Sequence, residues 1–403
     1  MKRVLAIWNE GKKLLFVLFL LIFSLVFALF QGGFVSWFIF YSILPFTLYS
    51  MFFYFYPLSK MEVQRSIKNV RIGNGGKLSA TVSLERNSSF PLFYLVMSDN
   101  TDSPVLKEKK DQMKSFELLG FKKKFEWSYE IHEMRRGEHL LSGIEIECSD
   151  LFGWVKKKTF VPLPQRVIVY PNITDMVYVP IETRYDQGAA ASPFTIVKDT
   201  TMVTGTRDYQ PGDRVSWIHW KSFARTQSLR TKEFEDRQSQ DLFVVIDRTP
   251  SDLFEEVVTL TASILKAALR KQATLGFLSI GAKREYFPAI QSEEHLQRAH
   301  YHLAKVEDDL QQPVEAVFAG DQALAGAASI LFVTGKLTMN WIDTLSRNAK
   351  NLKGCVIFVV NKRGSKMTRQ DQALHQAARA RGMAVRVLTP EQFKNAFSEV
   401  NRS

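Results

Sequence analysis

Residues 242–251 read Leu-Phe-Val-Val-Ile-Asp-Arg-Thr-Pro-Ser. An unbroken apolar run closed by a carboxylate has the pattern of a short strand buried on both faces. The residues after it settle the fold class. Phe254, Val257, Val258, Leu260, Thr261, Ile264, Leu265, Ala268 and Leu269 recur at helical spacing, which predicts a helix over 254–271. The alternation then repeats. Strands are predicted at 274–280, 330–334, 355–360 and 384–388, with a short edge strand at 285–287. Helices are predicted at 293–306, 339–348, 369–381 and 391–397. Apolar strands alternating with amphipathic helices make residues 241–403 a doubly wound α/β domain. In such sheets ligands sit beyond the carboxyl ends of strands, where Asp247 stands.

Upstream, residues 207–225 read Arg-Asp-Tyr-Gln-Pro-Gly-Asp-Arg-Val-Ser-Trp-Ile-His-Trp-Lys-Ser-Phe-Ala-Arg. Pro211-Gly212 marks a tight turn, proline presetting one dihedral and glycine supplying a positive φ. Charges interleaved with large aromatics suggest a fixed polar network against an apolar support. Asp208, Asp213 and His219 are an acid–base set only on paper; His219 is expected to be a hydrogen-bonded structural residue.

These residues carry a resemblance. Arg207, Tyr209, Pro211, Gly212, Asp213, Ile218, Trp220, Lys221, Ala224 and Arg225 fit a signature, R-x-Y-x-P-G-D then I-x-W-K-x-x-A-R. It resembles that of the bacterial domain of unknown function 58 family, with the usual Arg before Ile218 replaced by Trp217 or displaced to Arg214. The resemblance implies partners: related proteins are typically encoded near MoxR-type AAA+ ATPases, sometimes beside transglutaminase-like membrane proteins. Residues 173–240 are the segment that carries the signature, and within it Arg207, Tyr209, Asp213, Trp220, Lys221 and Arg225 are expected to form a partner-binding surface or a structural clasp. Asp213 is expected to accept from Arg207 or Arg225, Trp220 to support the loop against the α/β domain, and Lys221 to stay free for an acidic partner.

Asp247-Arg248-Thr249-Pro250-Ser251 resembles the metal-ion-dependent adhesion site of von Willebrand factor A domains, and the order of strands and helices is similar too. The resemblance implies Mg²⁺ on Asp247, Thr249 and Ser251, a hard cation taking oxygen ligands. The set is incomplete. Where that family carries T-D-G, this chain reads Thr334-Gly335-Lys336. A degenerate site, with Asp247 capping the adjoining loop or helix, stands beside the metal reading.

Between 57 and 172 the period changes to two. Leu78, Ala80, Val82 and Leu84 alternate with polar residues, as do Phe125, Trp127, Tyr129 and Ile131. Half-buried antiparallel strands without a convincing amphipathic helix predict a small β-sandwich. Arg136-Gly137-Glu138-His139, Asp150-Leu151-Phe152-Gly153 and Val169-Tyr170-Pro171 resemble further features of the same family, read here as structural, with Phe152 expected to be buried. Gly73 to Gly76 is expected to be a hairpin turn. His132 and His139 lack a third metal ligand at sensible spacing.

At the N-terminus, Leu14 to Phe30 and Phe34 to Phe55 are nearly wholly apolar, each close to the roughly 20 residues that cross a hydrocarbon core. Gln31-Gly32-Gly33 joins them without a charge. Residues 1–56 are therefore predicted to be a transmembrane helical hairpin, with Pro45 a tolerated membrane proline. Lys2, Arg3, Lys12 and Lys13 before it, and Lys60, Arg65, Lys68 and Arg71 after it, place both flanks in the cytoplasm by the positive-inside rule. A cleaved signal peptide fits less well, because a second long span follows and no small-residue cleavage site stands near Ala28.

The net charge of +12 is spread in short runs such as Lys122 to Lys124 and Lys156 to Lys158, and no zinc finger or helix-turn-helix pattern accompanies it. Nucleic acid is thus not the expected partner; lysine runs beside an anionic leaflet explain the balance as well. Cys148 and Cys355 fit small buried hydrophobes in a reducing compartment. There is no phosphate loop and no G-x-S-x-G elbow, and His300 and His302 lie two apart on one helix. The expected function is a membrane-anchored cytoplasmic scaffold or adaptor, not an enzyme, acting with a MoxR-type ATPase in assembly or quality control of a cell-envelope complex. The alternatives are a metal-dependent hydrolase using Asp247, or a binder of anionic surfaces.

Overall fold

The computed structural model describes residues 2–69, 71–179, 198–210, 217–236, 242–271, 273, 275–311, 329–348, 354–364 and 367–398. The chain divides into two compact units, Met1–Tyr170 and Pro171–Ser403.

The first unit opens with helices α1 (Lys2–Gln31) and α2 (Gly33–Phe55), which lie against each other. The break falls at Gly32, whose φ of 62° suits a residue without a Cβ. Among the described residues, α2 is long and apolar enough to cross a membrane by length and composition; Leu15–Gln31 is a shorter apolar stretch. Pro45 lies inside α2, and the Thr47 hydroxyl turns back to the carbonyls of Ile43 and Leu44 at 3.3 and 2.9 Å.

Two sheets follow. One holds β1 (Glu62–Ile67), β3 (Leu78–Glu85) and β6 (Lys124–Ile131), in the order β1-β3-β6. The other runs β2-β8-β7-β4-β5, from β2 (Ile72–Gly73), β4 (Leu92–Thr101), β5 (Lys114–Gly120), β7 (Gly137–Ser149) and β8 (Lys156–Tyr170). Apart from the short parallel β2–β8 pair, the described pairings are antiparallel. The period-two residues do what alternation requires. Ala80, Val82 and Leu84 meet Leu95, Met97, Ile144 and Ile146 in one buried cluster, each large side chain worth roughly 1.5–3 kcal/mol. One ion pair is sunk into it: Arg65 forks onto Asp99 at 2.6 and 2.7 Å, and the Tyr129 hydroxyl donates to the same carboxylate at 2.7 Å. Burial pushes Asp99 up while Arg65 and Tyr129 oppose the rise, and burial with the neighbouring Asp99 charge pushes the Tyr129 phenol up. The sequence reading missed one helix here, α3 (Pro104–Glu108), and the 3₁₀ turn Lys110–Met113. Both are too short for periodicity to register.

In the second unit, residues 171–179 run along the α/β core; Met176 and Tyr178 are buried in it, and Thr174 N donates to Ser263 Oγ at 2.9 Å. A hairpin follows, β9 (Lys198–Asp208) paired with β10 (Arg230–Asp236), with α4 (Trp220–Thr226) between them. The main sheet comprises β11 (Leu242–Asp247), β12 (Leu275–Ile280), β13 (Glu285–Ile290), β14 (Ser329–Thr334), β15 (Gly354–Val360) and β16 (Ala384–Leu388), in the order β13-β12-β11-β14-β15-β16. Only the edge pairing β12–β13 is antiparallel. Helices α5 (Phe254–Arg270) and α6 (Glu293–Lys305) bury their apolar stripes on one face. Helices α7 (Met339–Asn348) and α8 (Arg369–Ala380) cover the other. The predicted closing helix is a 3₁₀ turn, Pro390–Asn395, opened by a capping box at Thr389. Winding starts at β11, goes outward to β12 and returns to β14, so the strand order reverses at β11 and β14. Their carboxyl ends are the switch point where such sheets take ligands.

Candidate functional site

Asp247 ends β11 at that switch point and is 2% exposed. Its Oδ1 accepts from Thr249 N at 2.9 Å and Thr249 Oγ1 at 2.6 Å; Oδ2 accepts from Thr334 Oγ1, at the end of β14, at 2.7 Å. The Trp341 side chain of α7 donates to the same carboxylate. Four donors therefore meet a group with about four lone-pair positions. Burial pushes the carboxyl pKa up, and the bonds from Thr249, Thr334 and Trp341 pull it back.

The hydroxyls of Thr249 and Ser251 are engaged otherwise than as the ligands the resemblance implies. Thr249 spends its hydroxyl proton on Asp247, and Ser251 Oγ accepts from Leu253 N at 3.2 Å. A Cβ on Gly335 would lie 2.7 Å from Ser251 Oγ, so Ser251 fills the space a side chain at 335 would need. Mg²⁺ demands near-octahedral oxygens, whereas this set offers one carboxylate whose acceptor positions are taken. Among the described residues no group of three or more His, Cys, Asp or Glu is placed to hold a metal. As folded, the arrangement is a closed polar joint between β11, β14 and α7 and does not fit a resident dication.

The sequence reading passed over Arg248, which is 5% exposed. Its guanidinium donates to the carbonyls of Glu307 and Lys283 at 2.9 and 3.2 Å and pairs with Asp309 at 2.7 Å. Asp309 also accepts from Ala282 N at 3.1 Å. This second joint ties the β12–β13 turn to the chain after α6. Gly281 makes room for it: a Cβ there would fall 2.3 Å from Asp309 Oδ1 and 2.5 Å from Arg248. The signal in the sequence was an arginine directly behind a strand-ending acid, with a glycine just after the neighbouring strand.

The described part of the signature lies at the end of β9 and between the strands of the hairpin. Tyr209 N donates to Leu229 O at 3.0 Å and His219 N to Arg230 O at 2.7 Å, closing the loop across the strand ends. Ile218 bridges to Thr231, and both are buried. His219 is the N-cap of α4: its Nδ1 accepts from Ser222 N at 3.0 Å, a capping role. Arg207 donates to Asp208 O at 3.1 Å. Asp213 lies outside the described residues with Pro211 and Gly212, so its expected bonds to Arg207 or Arg225 do too. Trp220 corrects the sequence reading: it is not packed as a support but is 58% exposed, edge-on to Phe223 with ring centroids 6.2 Å apart. Lys221 and Arg225 are exposed one turn apart on the same short helix. Alternation of aromatic and basic residues, which predicts a fixed polar network against an apolar support, forms an open aromatic and cationic face on α4.

The remaining histidines do not converge. His139 is buried, bonded to Ser103 Oγ at 2.7 Å and Arg135 O at 2.8 Å, while His132 is exposed. Cys148 and Cys355 are buried free thiols, pushed up to about 12 by burial. A depression of about 440 Å³ lies at the opposite end of the sheet from Asp247, lined by Lys266, Arg270 and Glu293 among others. Asp175 pairs with both of its cations, at 3.7 and 3.1 Å.

A family described as "Protein of unknown function DUF58" matches residues 205–403. The Uncharacterized protein YeaD of Bacillus subtilis (strain 168) is 31% identical over 383 residues, spanning 94% of this chain and 95% of that one. Among solved structures, a β-glucuronidase 2 of Bacteroides uniformis is similar at 8% identity and a TM-score of 0.17, covering 74% of this chain and 33% of that one. A calcium-binding mutant of the same enzyme is similar at 9% identity and a TM-score of 0.17, covering 80% and 39%. Likeness at that level carries no argument.

Proposed function

The chain belongs to the DUF58 family, and from that premise we propose that it is a membrane-anchored scaffold or adaptor whose signature hairpin docks a protein partner. The carrying observation is the face of α4, where Trp220 and Phe223 stand exposed beside Lys221 and Arg225. Trp and Arg are the residues that most often anchor interfaces, and the two cations select an acidic partner surface. The closed joint at Asp247 favours a non-catalytic α/β unit, because the carboxylate that ends β11 has its oxygens engaged. The strand order and the position of Asp247 support a likeness to von Willebrand factor A domains, which act by binding.

For the partner, the family resemblance names a MoxR-type AAA+ ATPase, in assembly or quality control of a cell-envelope complex, with a transglutaminase-like membrane protein as a further candidate. The apolar helix α2, with the apolar stretch Leu15–Gln31 before it, supports a two-helix anchor. The cations flanking it support a cytoplasmic body. The test is biolayer interferometry between the full chain in nanodiscs and a MoxR-type ATPase, with ATP and with ADP. Trp220→Ala with Lys221→Ala is expected to weaken binding at least about tenfold, ~1.4 kcal/mol. No association in either nucleotide state, or equal affinity for the double variant, removes the reading.

A further inference from the structure

The last two turns of α2 are built into the β unit. The Tyr49 hydroxyl donates to Pro91 O at 2.9 Å and Ser50 Oγ to Asp150 Oδ2 at 2.5 Å. Phe53 is fully buried, and Lys157 Nζ reaches the carbonyls of Tyr54 and Tyr56 at 2.8 and 2.5 Å. These bonds pin the β7–β8 loop, residues 150–155, against the helix pair. Asp150, 0% exposed, also accepts from Val155 N at 3.3 Å. The loop's two aromatics face the helices. Phe152 lies 5.1 Å from Phe46 and Trp154 lies 6.3 Å from Phe16, and the two stack on each other at 4.7 Å. Phe152 was expected to be buried; it is 55% exposed.

The helices give the depth of this loop. From Gly33 to Phe46 is about 13 steps of ~1.5 Å, roughly 20 Å; from Phe16 to Gln31 is about 15 steps, roughly 22 Å. Two separate rulers, read from the same turn, agree. A hydrocarbon core is about 30 Å thick. With the Gly32 turn at one boundary, Phe152 and Trp154 fall roughly 8–10 Å inside the other. Tilt shortens the vertical reach of both helices and takes the loop deeper. Tyr54 and Tyr56, with Lys157 on their carbonyls, fall at about 33 Å, the level of the headgroups, where an ammonium belongs.

We propose that the 150–155 loop is a membrane-embedded element, with Phe152 in the acyl layer and Lys157 at the headgroups, so that the β unit is seated in the bilayer surface. The occupant of the exposed Phe152 face is lipid, an inference that rests on the reading of α2 as a membrane span. An aromatic held open beside two apolar helices is disfavoured in water and stabilised among acyl chains. The β unit is then fixed relative to the membrane and does not swing on a tether.

The test places one nitroxide-labelled cysteine in the full chain, in a Cys148→Ala, Cys355→Ala background, in nanodiscs of phosphatidylcholine and phosphatidylglycerol. Phe152→Cys is the probe, Phe38→Cys on α2 the span control, and Asp111→Cys, its side chain 96% exposed, the water control. Collision with a charged nickel chelate is expected to be about tenfold lower at 152 and 38 than at 111, because charge is excluded from the acyl layer. A label at 152 that meets the chelate as freely as 111, while 38 stays shielded, overturns the embedded loop and leaves the anchor standing. Free collision at 38 as well overturns both. Without labels, bromine on the lipid acyl chains is expected to quench the fluorescence that Trp154→Phe removes; absence of that quenching counts against the loop in the same way.

Discussion

His302 makes the α/β unit sensitive to acid in a way that can be isolated. It lies on α6 between Phe277 and Phe287, ring centroids 6.2 and 5.6 Å away, and its Nε2 is buried without a hydrogen-bond partner. Burial, with a smaller contribution from the Arg248 charge, lowers its pKa to about 4. The ordinary value is near 6.5, so between those limits the unfolded chain binds the proton and the folded chain does not. Stability is therefore complete above about pH 6.5 and falls as pH drops towards 4. For a shift of about 2.5 units the loss at about pH 5 is roughly 2 kcal/mol, and nearer 1 once partial exposure of the ring is allowed for. Asp247 has the opposite sign: its raised carboxyl lets the folded chain hold a proton longer, so its contribution weakens as pH rises. The observable is thus a difference between variants. His302→Leu removes the imidazole and its orphan nitrogen from the apolar site. Urea unfolding of the detergent-solubilised full chain, read by pulse proteolysis at about pH 7.5 and pH 5, is expected to show wild type losing about 1–2 kcal/mol more than His302→Leu. Equal losses would refute the reasoning.

Three further substitutions test the joints. Gly281→Ala drives a methyl into Asp309 and Arg248 and is expected to cost about 1–3 kcal/mol, read as a lower thermal midpoint; an unchanged midpoint means that joint is loose. Thr334→Val removes a donor from buried Asp247 and is expected to cost about 1.5–3 kcal/mol in the same assay. If Thr334→Val instead stabilises the chain, Asp247 is not held as a bonded carboxylate. Arg65→Met leaves Asp99 buried without its counter-ion, where breaking such a pair costs about 3–5 kcal/mol. Arg65→Met with Asp99→Leu is expected to recover most of that loss, and failure to recover assigns the cost to packing.

Secondary structure was legible where one period ran long enough. The strand ending at Asp247 and the helix from Phe254 were read nearly to the residue, because burial on both faces gives an apolar run and burial on one face gives a helical stripe. The two β sheets followed from alternation in the same way. Short elements escaped: α3 and the 3₁₀ turn at Lys110–Met113 complete too few turns for a stripe. Spacing placed Asp247, Thr249 and Ser251 in one short loop, in which Thr249 is bonded to Asp247. It did not say that Thr334 and Trp341 arrive from elsewhere to fill the carboxylate's remaining positions, since they are 87 and more residues away in sequence.

Aromatics misled the reading twice, and for one reason. The sequence leads one to expect Phe152 buried and Trp220 packed as a support, and both are more than half exposed. Large apolar area predicts removal from water, but sequence does not name what removes it. For Phe152 the neighbours are two apolar helices, so the covering medium is lipid on the reading proposed above. For Trp220 the neighbours are Lys221, Arg225 and the capped turn of α4, so on the docking reading proposed above the covering surface carries acids as well as apolar area. An aromatic beside greasy helices and an aromatic beside paired cations are the same signal in a hydrophobicity profile. They separate only when the fold shows what stands next to each ring, and on the two readings proposed above that separates a membrane seat from a protein-docking face.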